Sequence, residues 1–307
     1  MEPGLYFGLP DDEYHAIEAL SNTGIKRILV SPLDFWARSW MNPTPEEDEE
    51  TVFKVTGKAY HTRIVEGRPA FDARYAAELD PAAHPNALRT VDQIKEALRA
   101  HGETVTGAKP VLVERLLGTN SMAEVWDVLA AAHAKANEGK ILLPAELIQK
   151  IEISTAMIEK HPQLAKCFTG GGPEVSVFWT AEGGIPMKVR IDYLKPRAIV
   201  DLKTFSNPLA KPVDRAIANA MAQRKYHIQV AVYQEGAERA REFAQEGRIF
   251  GEVDPEWVER FTAAEDFEFV FVFQQTGIAP VARGKVMPKG LVYDCGVISM
   301  NEAIATF

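Results

Sequence analysis

The stretch Glu174-Val-Ser-Val-Phe-Trp179, a turn at Gly183-Gly184, then Met187-Lys-Val-Arg-Ile-Asp192 and Ala198-Ile-Val-Asp201-Leu-Lys203-Thr204 decides how this chain is read. Its three short runs are rich in Val, Ile, Phe and Trp and are broken by Gly and Pro, which is the pattern of successive β-strands. The spacing predicts Glu174 at the start of the first strand, Asp192 at the end of the second and Asp201 at the end of the third. Side chains two apart on a strand share a face, so Asp201 and Lys203 project together. Carboxylates gathered at strand ends beside one lysine can hold a divalent metal and order a water next to it. Taken alone, Asp-Leu-Lys is a common tripeptide whose usual explanation is a structural salt bridge.

The rest of the composition limits the options. At 307 residues the chain suits one large domain, or one domain with an insertion. It is 46% hydrophobic and 25% charged, a globular balance, with no stretch long enough to span a bilayer. Met1-Glu-Pro-Gly4 has neither a basic nor an apolar leader segment, and the plainer expectation is a cytosolic setting. Cys167 and Cys295 have no metal-ligand spacing and are too few for a four-cysteine iron–sulfur cluster. A net charge of −9 argues against a broadly basic nucleic-acid coat. It does not argue against a nuclease, because metal-binding carboxylates count as negative when the ions are left out.

Outward from the central runs, residues 5 to 14 read as a short strand and then a helix after Pro10. Ser21 is placed to cap a short helix, and Ser31-Pro32 to start another that runs to Trp40, with Phe35, Trp36 and Trp40 as a core stripe. Residues 42 to 50 read as an acidic loop, and 53 to 66 as a helix carrying His61 near its apolar face. Thr90 to Gly102 is an amphipathic helix with Thr90 as N-cap, Gln93 at the capping-box position and Gly102 as stop. A turn at 103 to 106 leads to a second helix from Gly107 to Leu117. Residues 121 to 136 and 144 to 168 read as helices packing on the sheet through Met122, Val125, Leu129, Ile148, Ile151, Met157 and Ile158. A helix from Val213 to Phe243, interrupted near Gln223, sets Tyr226, Gln229 and Tyr233 on one face. Glu268 to Phe273 is a strand, with pairing continued over 278 to 283. The segment Val297 to Phe307 turns helical just as the sequence stops, which suggests a longer natural protein.

Two resemblances follow from these residues. Ile94, Leu98, Gly102, Thr106-Gly107, Lys109, Leu112, Val113 and Leu116 resemble a SAP motif over residues 88–118, despite Pro110 and a first helix without strong basic character. The resemblance implies DNA contact through Lys109 and Arg115; a small helical insertion that only packs is the alternative. The order His61, Glu174, Asp192, Asp201-Leu-Lys203, then Gln229-Val-Ala-Val-Tyr233, resembles the RecB-like branch of the PD-(D/E)xK nucleases. Gly4-Leu-Tyr-Phe, Glu13-Tyr-His15, Leu20-Ser-Asn-Thr23, Gly57-Lys-Ala-Tyr-His61 and Lys225-Tyr-His-Ile-Gln229 are most similar to the RecE-type (exonuclease VIII-like) enzymes.

That resemblance implies an α/β fold with a PD-(D/E)xK nuclease-like core. A central mixed β-sheet would be flanked by helices, with residues 1–79 and 121–307 as the exonuclease domain around the small helical insertion. It implies metal ligation by His61, Asp192, Asp201 and the Leu202 carbonyl, with Mg²⁺ as the ion and Mn²⁺ tolerated. Lys203 would position or help deprotonate a water, Glu174 would act on a ligand or water, and Gln229 and Tyr233 would hold a strand or orient Lys203. Tyr226 and His227 would lie against DNA. The expected activity is degradation of one strand of linear duplex from its 5′ end, leaving a 3′ strand for a RecT-like single-strand annealing partner. A homo-oligomeric ring, no membrane and a phage- or prophage-encoded origin in a bacterial cytoplasm complete the expectation. The competing readings are a RecB-like repair endonuclease and a non-catalytic DNA-binding module with a degenerate core.

Overall fold

The computed structural model describes residues 1–46, 49–277 and 279–307. Glu47 and Asp48 of the acidic loop, and Ile278 at the head of the expected 278 to 283 segment, lie outside the described residues. The chain divides into two compact units, Met1–Arg68 with Lys150–Phe307, and Pro69–Gln149. The chain begins with β1 (Gly4–Tyr6), α1 (Asp11–Ala16), α2 (Asn22–Ile28), α3 (Pro32–Ala37) and α4 (Val52–His61), which runs on into a π-helical turn, Thr62–Glu66. Next come α5 (Arg68–Arg74), β2 (Tyr75–Ala77), α6 (Val91–Ala100), α7 (Lys109–Thr119), α8 (Trp126–Ala136), β3 (Ile141–Leu143) and α9 (Ala145–Lys160). The remainder is β4 (Gly172–Thr180), β5 (Pro186–Lys195), β6 (Ala198–Phe205), α10 (Val213–Gln223), α11 (Tyr226–Gln245), β7 (Ile249–Phe250), α12 (Pro255–Thr262), β8 (Glu268–Gln275), β9 (Ala282–Met287) and α13 (Leu291–Thr306).

The large unit is an α/β domain with a mixed central sheet flanked by helices. Among the described residues the strand order is β7-β1-β4-β5-β6-β8-β9. β4, β5 and β6 form an antiparallel meander, and β6 then pairs in parallel with β8. A parallel neighbour needs a long crossover, and residues 206–267, with α10, α11 and α12, supply it. Phe269, Phe271 and Phe273 of β8 are fully buried, each worth roughly 1.5–3 kcal/mol of burial. Helix α11 lies close on the sheet at Gly236, where an added Cβ would come 2.6 Å from Val189 Cγ2.

The local start signals act as their chemistry dictates. The Ser21 hydroxyl accepts from Gly24 N–H at the head of α2. The break in the expected 213 to 243 helix falls at Lys225, whose φ of +49° is left-handed. Other stretches depart from expectation. α3 stops at Ala37, and Trp36 is 46% exposed while Phe35 is buried. β5 runs three residues past Asp192, and Asp201 sits in the middle of β6 rather than at its end. β9 begins at Ala282, and the last helix begins at Leu291 rather than Val297.

The small unit holds α6, α7 and α8 and the parallel pair β2–β3. Ile94, Leu98, Leu112, Leu116 and Val125 form its core. The α6 capping box is complete: the Thr90 hydroxyl accepts from Gln93 N–H, and the Gln93 side chain accepts from Thr90 N–H. α7 starts at Lys109, so Pro110 falls in its first turn, where a missing N–H costs nothing. The expected packing of residues 121 to 136 on the sheet is not what the structure shows. Met122 is 87% exposed, Val125 joins the small unit's own core, and α8 buries none of its residues. Met157 of α9 is likewise exposed, whereas Ile151 and Ile158 are buried. No helix among the described residues is long and apolar enough to cross a membrane.

Candidate active site

Strand register sets the site. On β4 and β5 the pairs Pro173↔Tyr193 and Val175↔Ile191 bracket Glu174 and Asp192, which therefore stand opposite each other. On β5 and β6 the ladder's last pair is Tyr193↔Val200, so Asp192 and Asp201 are next across. Three carboxylates thus lie in a row over three neighbouring strands. Like charges in such positions repel, so the row persists only with cations beside it. Past Tyr193 the strands stop pairing, and Asp192 Oδ2 instead accepts from Leu202 N–H at 2.9 Å.

The compensating cations come from several elements. His61, the last residue of α4, places Nε2 3.1 Å from Asp192 Oδ2 and 3.5 Å from Glu174 Oε1. Arg190 Nε lies 3.0 Å from Glu174 Oε2. Lys203 Nζ lies 2.6 Å from Asp201 Oδ1, as expected for two side chains on one strand face. Gln229 of α11 donates from Nε2 to Asp201 Oδ2. Tyr233, one turn on, lines with His61, Glu174, Asp192 and Arg190 a cavity of about 590 Å³ beside the row. Glu174 holds a left-handed backbone with φ of +52°, which costs a non-glycine residue roughly 1–3 kcal/mol.

Proton affinities follow from this crowding. Burial, and then the Asp192 charge, push Asp201 up to about 7. Burial also pushes Glu174 up to about 7, against the pull of His61. Burial would lower His61, but the Asp192 and Glu174 carboxylates outweigh it and raise the imidazole to about 9. Burial would likewise raise Asp192, but His61, Lys203 and the Leu202 N–H hold it low. Desolvation of Lys203 is outweighed by Asp201 and Asp192, so its ammonium stays charged. Burial and the neighbouring carboxylates keep Tyr233 a phenol.

The donor set fits a hard divalent cation: two or three carboxylates, an imidazole and a backbone carbonyl at Leu202. Glu174 Oε1 adds a specific observation. It is shut off from solvent and accepts no hydrogen bond, which is the state of an oxygen that an ion or a water would complete. Bound there, a divalent cation would supply positive charge to a phosphate oxygen and acidify a water.

Of the residues expected from sequence, the structure brings together His61, Glu174, Asp192, Asp201, Lys203, Gln229 and Tyr233. Tyr226 departs from the expectation of a DNA-facing ring. It is 4% exposed, packs against Phe271 and Phe273, and lies under the Lys203 ammonium at 5.5 Å. His227 is half-buried. In the small unit, Lys109 is ion-paired to Asp127 at 2.6 Å and donates to Arg89 O, while Arg115 donates to Thr104 O and Thr106 O. Both cations therefore work within their own unit. Three residues escaped the sequence reading: Arg190, Lys26, and Glu66, which with His61 and Glu174 offers ligand atoms within 4.8 Å of one another. Lys26, on α2, lies 5.5 Å from the Tyr226 ring, and burial and Lys203 lower it to about 8. Strand alternation could have pointed to Arg190, two residues before Asp192.

Residues 118–250 match the family described as a PDDEXK-like domain of unknown function (DUF3799), and residues 87–119 match the SAP domain. A SAP domain is thus present, and the first match spans all three strands of the carboxylate row. No curated protein matches the chain. Among solved structures, the chain is similar to a candidate exonuclease from Eubacterium rectale, at 14% identity and a TM-score of 0.49, over 97% of this chain and 86% of that one. It is also similar to a protein named SSO0001, at 10% identity and a TM-score of 0.27, over 84% of this chain and 88% of that one. Neither structural likeness bears on chemistry. The PDDEXK-like match and the geometry of the site together support a nuclease.

Proposed function

We propose that the chain is a divalent-metal-dependent deoxyribonuclease that acts as an exonuclease on linear duplex DNA, removing one strand from its 5′ end. The row Glu174–Asp192–Asp201, with His61 and Lys203 against it, carries the reading. Phosphodiester hydrolysis needs charge neutralisation at the phosphorus and an activated water. Asp192, Asp201, His61 and the Leu202 carbonyl would hold Mg²⁺, with Mn²⁺ tolerated because of the imidazole. Lys203 stays charged beside Asp201 and acts as counter-charge and donor to the phosphate. Gln229 fixes the Asp201 carboxylate, and Tyr233 remains a hydrogen-bond donor at the cavity wall.

The finer parts of the reading draw support from the resemblance to RecE-type enzymes. These are the 5′ start, a ring of like chains around DNA, a 3′ strand handed to a single-strand annealing protein, and a phage or prophage origin in a bacterial cytoplasm. A ring would also explain how a chain of net charge −9 stays on a polyanion. The test is release of nucleotides from end-labelled linear and closed circular duplex with Mg²⁺, comparing 5′-phosphate, 5′-hydroxyl and single-stranded ends. Cleavage of closed circles would sink the exonuclease reading. Wild-type turnover by Lys203→Ala would remove the catalytic assignment.

A further inference from the structure

Lys203 has an acidic neighbour and a basic one. Its Nζ meets the carboxylate row at Asp201 Oδ1, 2.6 Å away. It also lies 5.5 Å from the centre of the Tyr226 ring, which is buried against Phe271 and Phe273. The Lys26 ammonium, carried in by α2, lies 5.5 Å from the centre of the same ring. Arg224 and Lys225 directly precede Tyr226, in the joint between α10 and α11. Four cations thus gather about one aromatic side chain.

Asp201 is the counter-charge of Lys203. Among the described residues no carboxylate forms an ion pair with Lys26, Arg224 or Lys225. The first turn of α11, which follows them, holds no acidic residue. Lys26 is half-buried. Burial and then the Lys203 charge lower its ammonium to about 8, with Asp201 opposing and Lys225 and Arg224 adding to the fall. The Tyr226 ring attracts ammonium groups, but burial keeps it a neutral phenol and two lysines share it. A partly desolvated cation pressed by like charges is a cost that an arriving anion removes. Lys109 and Arg115 stand in contrast, since both are partnered within their own unit.

We propose that Lys26, with Arg224 and Lys225, binds a phosphate group of a DNA strand, flanking the phosphate that Lys203 serves, and does so without a metal ion. The site rests on the nuclease reading for the strand that supplies the phosphate. A strand in duplex carries one charge about every 3.4 Å along the helix axis, so a phosphate at Lys203 brings its neighbour close by. The site rests on the shared Tyr226 ring for its geometry. A lysine meets a phosphoryl oxygen as a point charge, whether the group is a terminal monoester or an internal diester. Lys26 is a positioning residue: it fixes the strand, and the chemistry stays at the row.

The experiment is fluorescence anisotropy of a short labelled duplex with the full chain, from about 50 to about 200 mM salt. Ca²⁺ replaces Mg²⁺, so that binding is read apart from cleavage. The slope of log affinity against log salt counts the phosphates neutralised. Lys26→Gln should weaken binding by about tenfold at about 0.1 M salt and make the slope shallower by about one unit, with the circular dichroism unchanged. Lys26→Arg should restore both. A residue that only packs on Tyr226 would leave the slope as it is. Should Lys26→Gln fail to fold, Arg224→Gln, at an exposed residue, is measured with the same expectation. Duplexes with 5′-phosphate and 5′-hydroxyl ends tell the two sources apart. An equal loss on both puts an internal linkage at Lys26, a loss confined to the 5′-phosphate duplex puts the strand's end there, and either sustains the site. Wild-type affinity and slope in Lys26→Gln overturn it. A wild type that binds with the Lys26-dependent slope and releases no nucleotide with Mg²⁺ keeps the site and overturns the nuclease reading instead.

Discussion

The carboxylate row and the small SAP-bearing unit treat charge in opposite ways. In the row, Glu174, Asp192 and Asp201 stand side by side on β4, β5 and β6, and Asp201 is fully buried. In the small unit, Lys109 has Asp127 at 2.6 Å, and Arg115 is spent on the carbonyls of residues 104 and 106. The helix start there is capped from both sides by Thr90 and Gln93. The small unit is locally consistent at these positions: Lys109, Arg115, Thr90 and Gln93 each meet a partner nearby. The row is locally inconsistent, and consistency is what a sequence sacrifices where function demands it. The difference sets a row of crowded, buried carboxylates against a unit whose named cations are paired at home.

The largest expected effect breaks the row itself. Asp201→Asn should lower Mg²⁺-dependent nucleotide release by about 10³-fold or more, as removal of central charge stabilisation does. Without metal, the same change should also lower the melting temperature, because the buried Lys203 ammonium loses the carboxylate 2.6 Å away. Wild-type nucleotide release by the variant would mean that Asp201 only pairs with Lys203.

The second effect is the coupling of metal to pH, and its sign follows from the shifts. His61 is raised from 6.5 to about 9, so the stability it contributes is fully present below 6.5 and is lost as pH rises through 9. Asp201 and Glu174 are raised to about 7, so the folded state also loses ground as they ionise between their ordinary values and 7. All three act in one direction, and the metal-free protein should melt lower at pH 9 than at pH 6. Cations compete with those same protons. Their stabilising effect should therefore grow over the same range, by roughly tenfold in affinity per pH unit for each proton displaced. Melting curves with and without Mn²⁺ at pH 6, 7, 8 and 9 check both trends. Parallel curves would mean that no cation sits at the row.

How much of this could be read in advance depends on how far each signal reaches along the chain. Strand alternation and the Gly183-Gly184 turn announce β4, β5 and β6, and placing Asp201 beside Lys203 needs no more than a two-residue period. The strand ends were misjudged because a strand stops where its neighbour stops, and β8 runs beside β6 from Ala198↔Glu268 to Phe205↔Gln275. Glu66 was invisible for a different reason. Helical reading assumes 3.6 residues per turn, and the π turn over Thr62–Glu66 departs from that period just before Glu66. The 121 to 136 stretch has alanines at helical spacing that suggest a buried face, but composition cannot say which surface, if any, covers them. Lys109 and Arg115 were expected at DNA because the SAP resemblance places its DNA contacts on the second helix. The carbonyls that claim Arg115 belong to a turn whose path only the fold reveals.

A third, smaller effect tests the support beneath the row. Gly236→Ala would press a methyl against Val189 and Trp179, displacing α11 from the sheet. Overpacking of this kind costs typically 1–3 kcal/mol, and α11 also carries Gln229 and Tyr233. The variant should lose stability in denaturant and part of its turnover together. Full turnover at reduced stability would show that Gln229 and Tyr233 tolerate movement.

The smallest effect lies in the other region, and its value is that it should leave the row untouched. Thr90→Ala removes the hydroxyl that accepts from Gln93 N–H, and loss of such a cap costs about 1 kcal/mol. The Gln93 side chain would still accept from the N–H of residue 90, since only the backbone of that residue takes part, so the loss should fall in the lower half of the capping range. Amide hydrogen exchange should quicken in α6 while rates in β4, β5 and β6 hold, because the two regions belong to separate compact units. Turnover on a short duplex should match wild type. Arg115→Ala sharpens the point, because it removes two exposed hydrogen bonds to the carbonyls of Thr104 and Thr106 and should cost the small unit about 1 kcal/mol or less. If Arg115→Ala weakens duplex binding while Thr90→Ala does not, at matched stability, the guanidinium reaches DNA in addition to its turn. Equal binding by both would make Arg115 a brace for the 104 to 106 turn and nothing more.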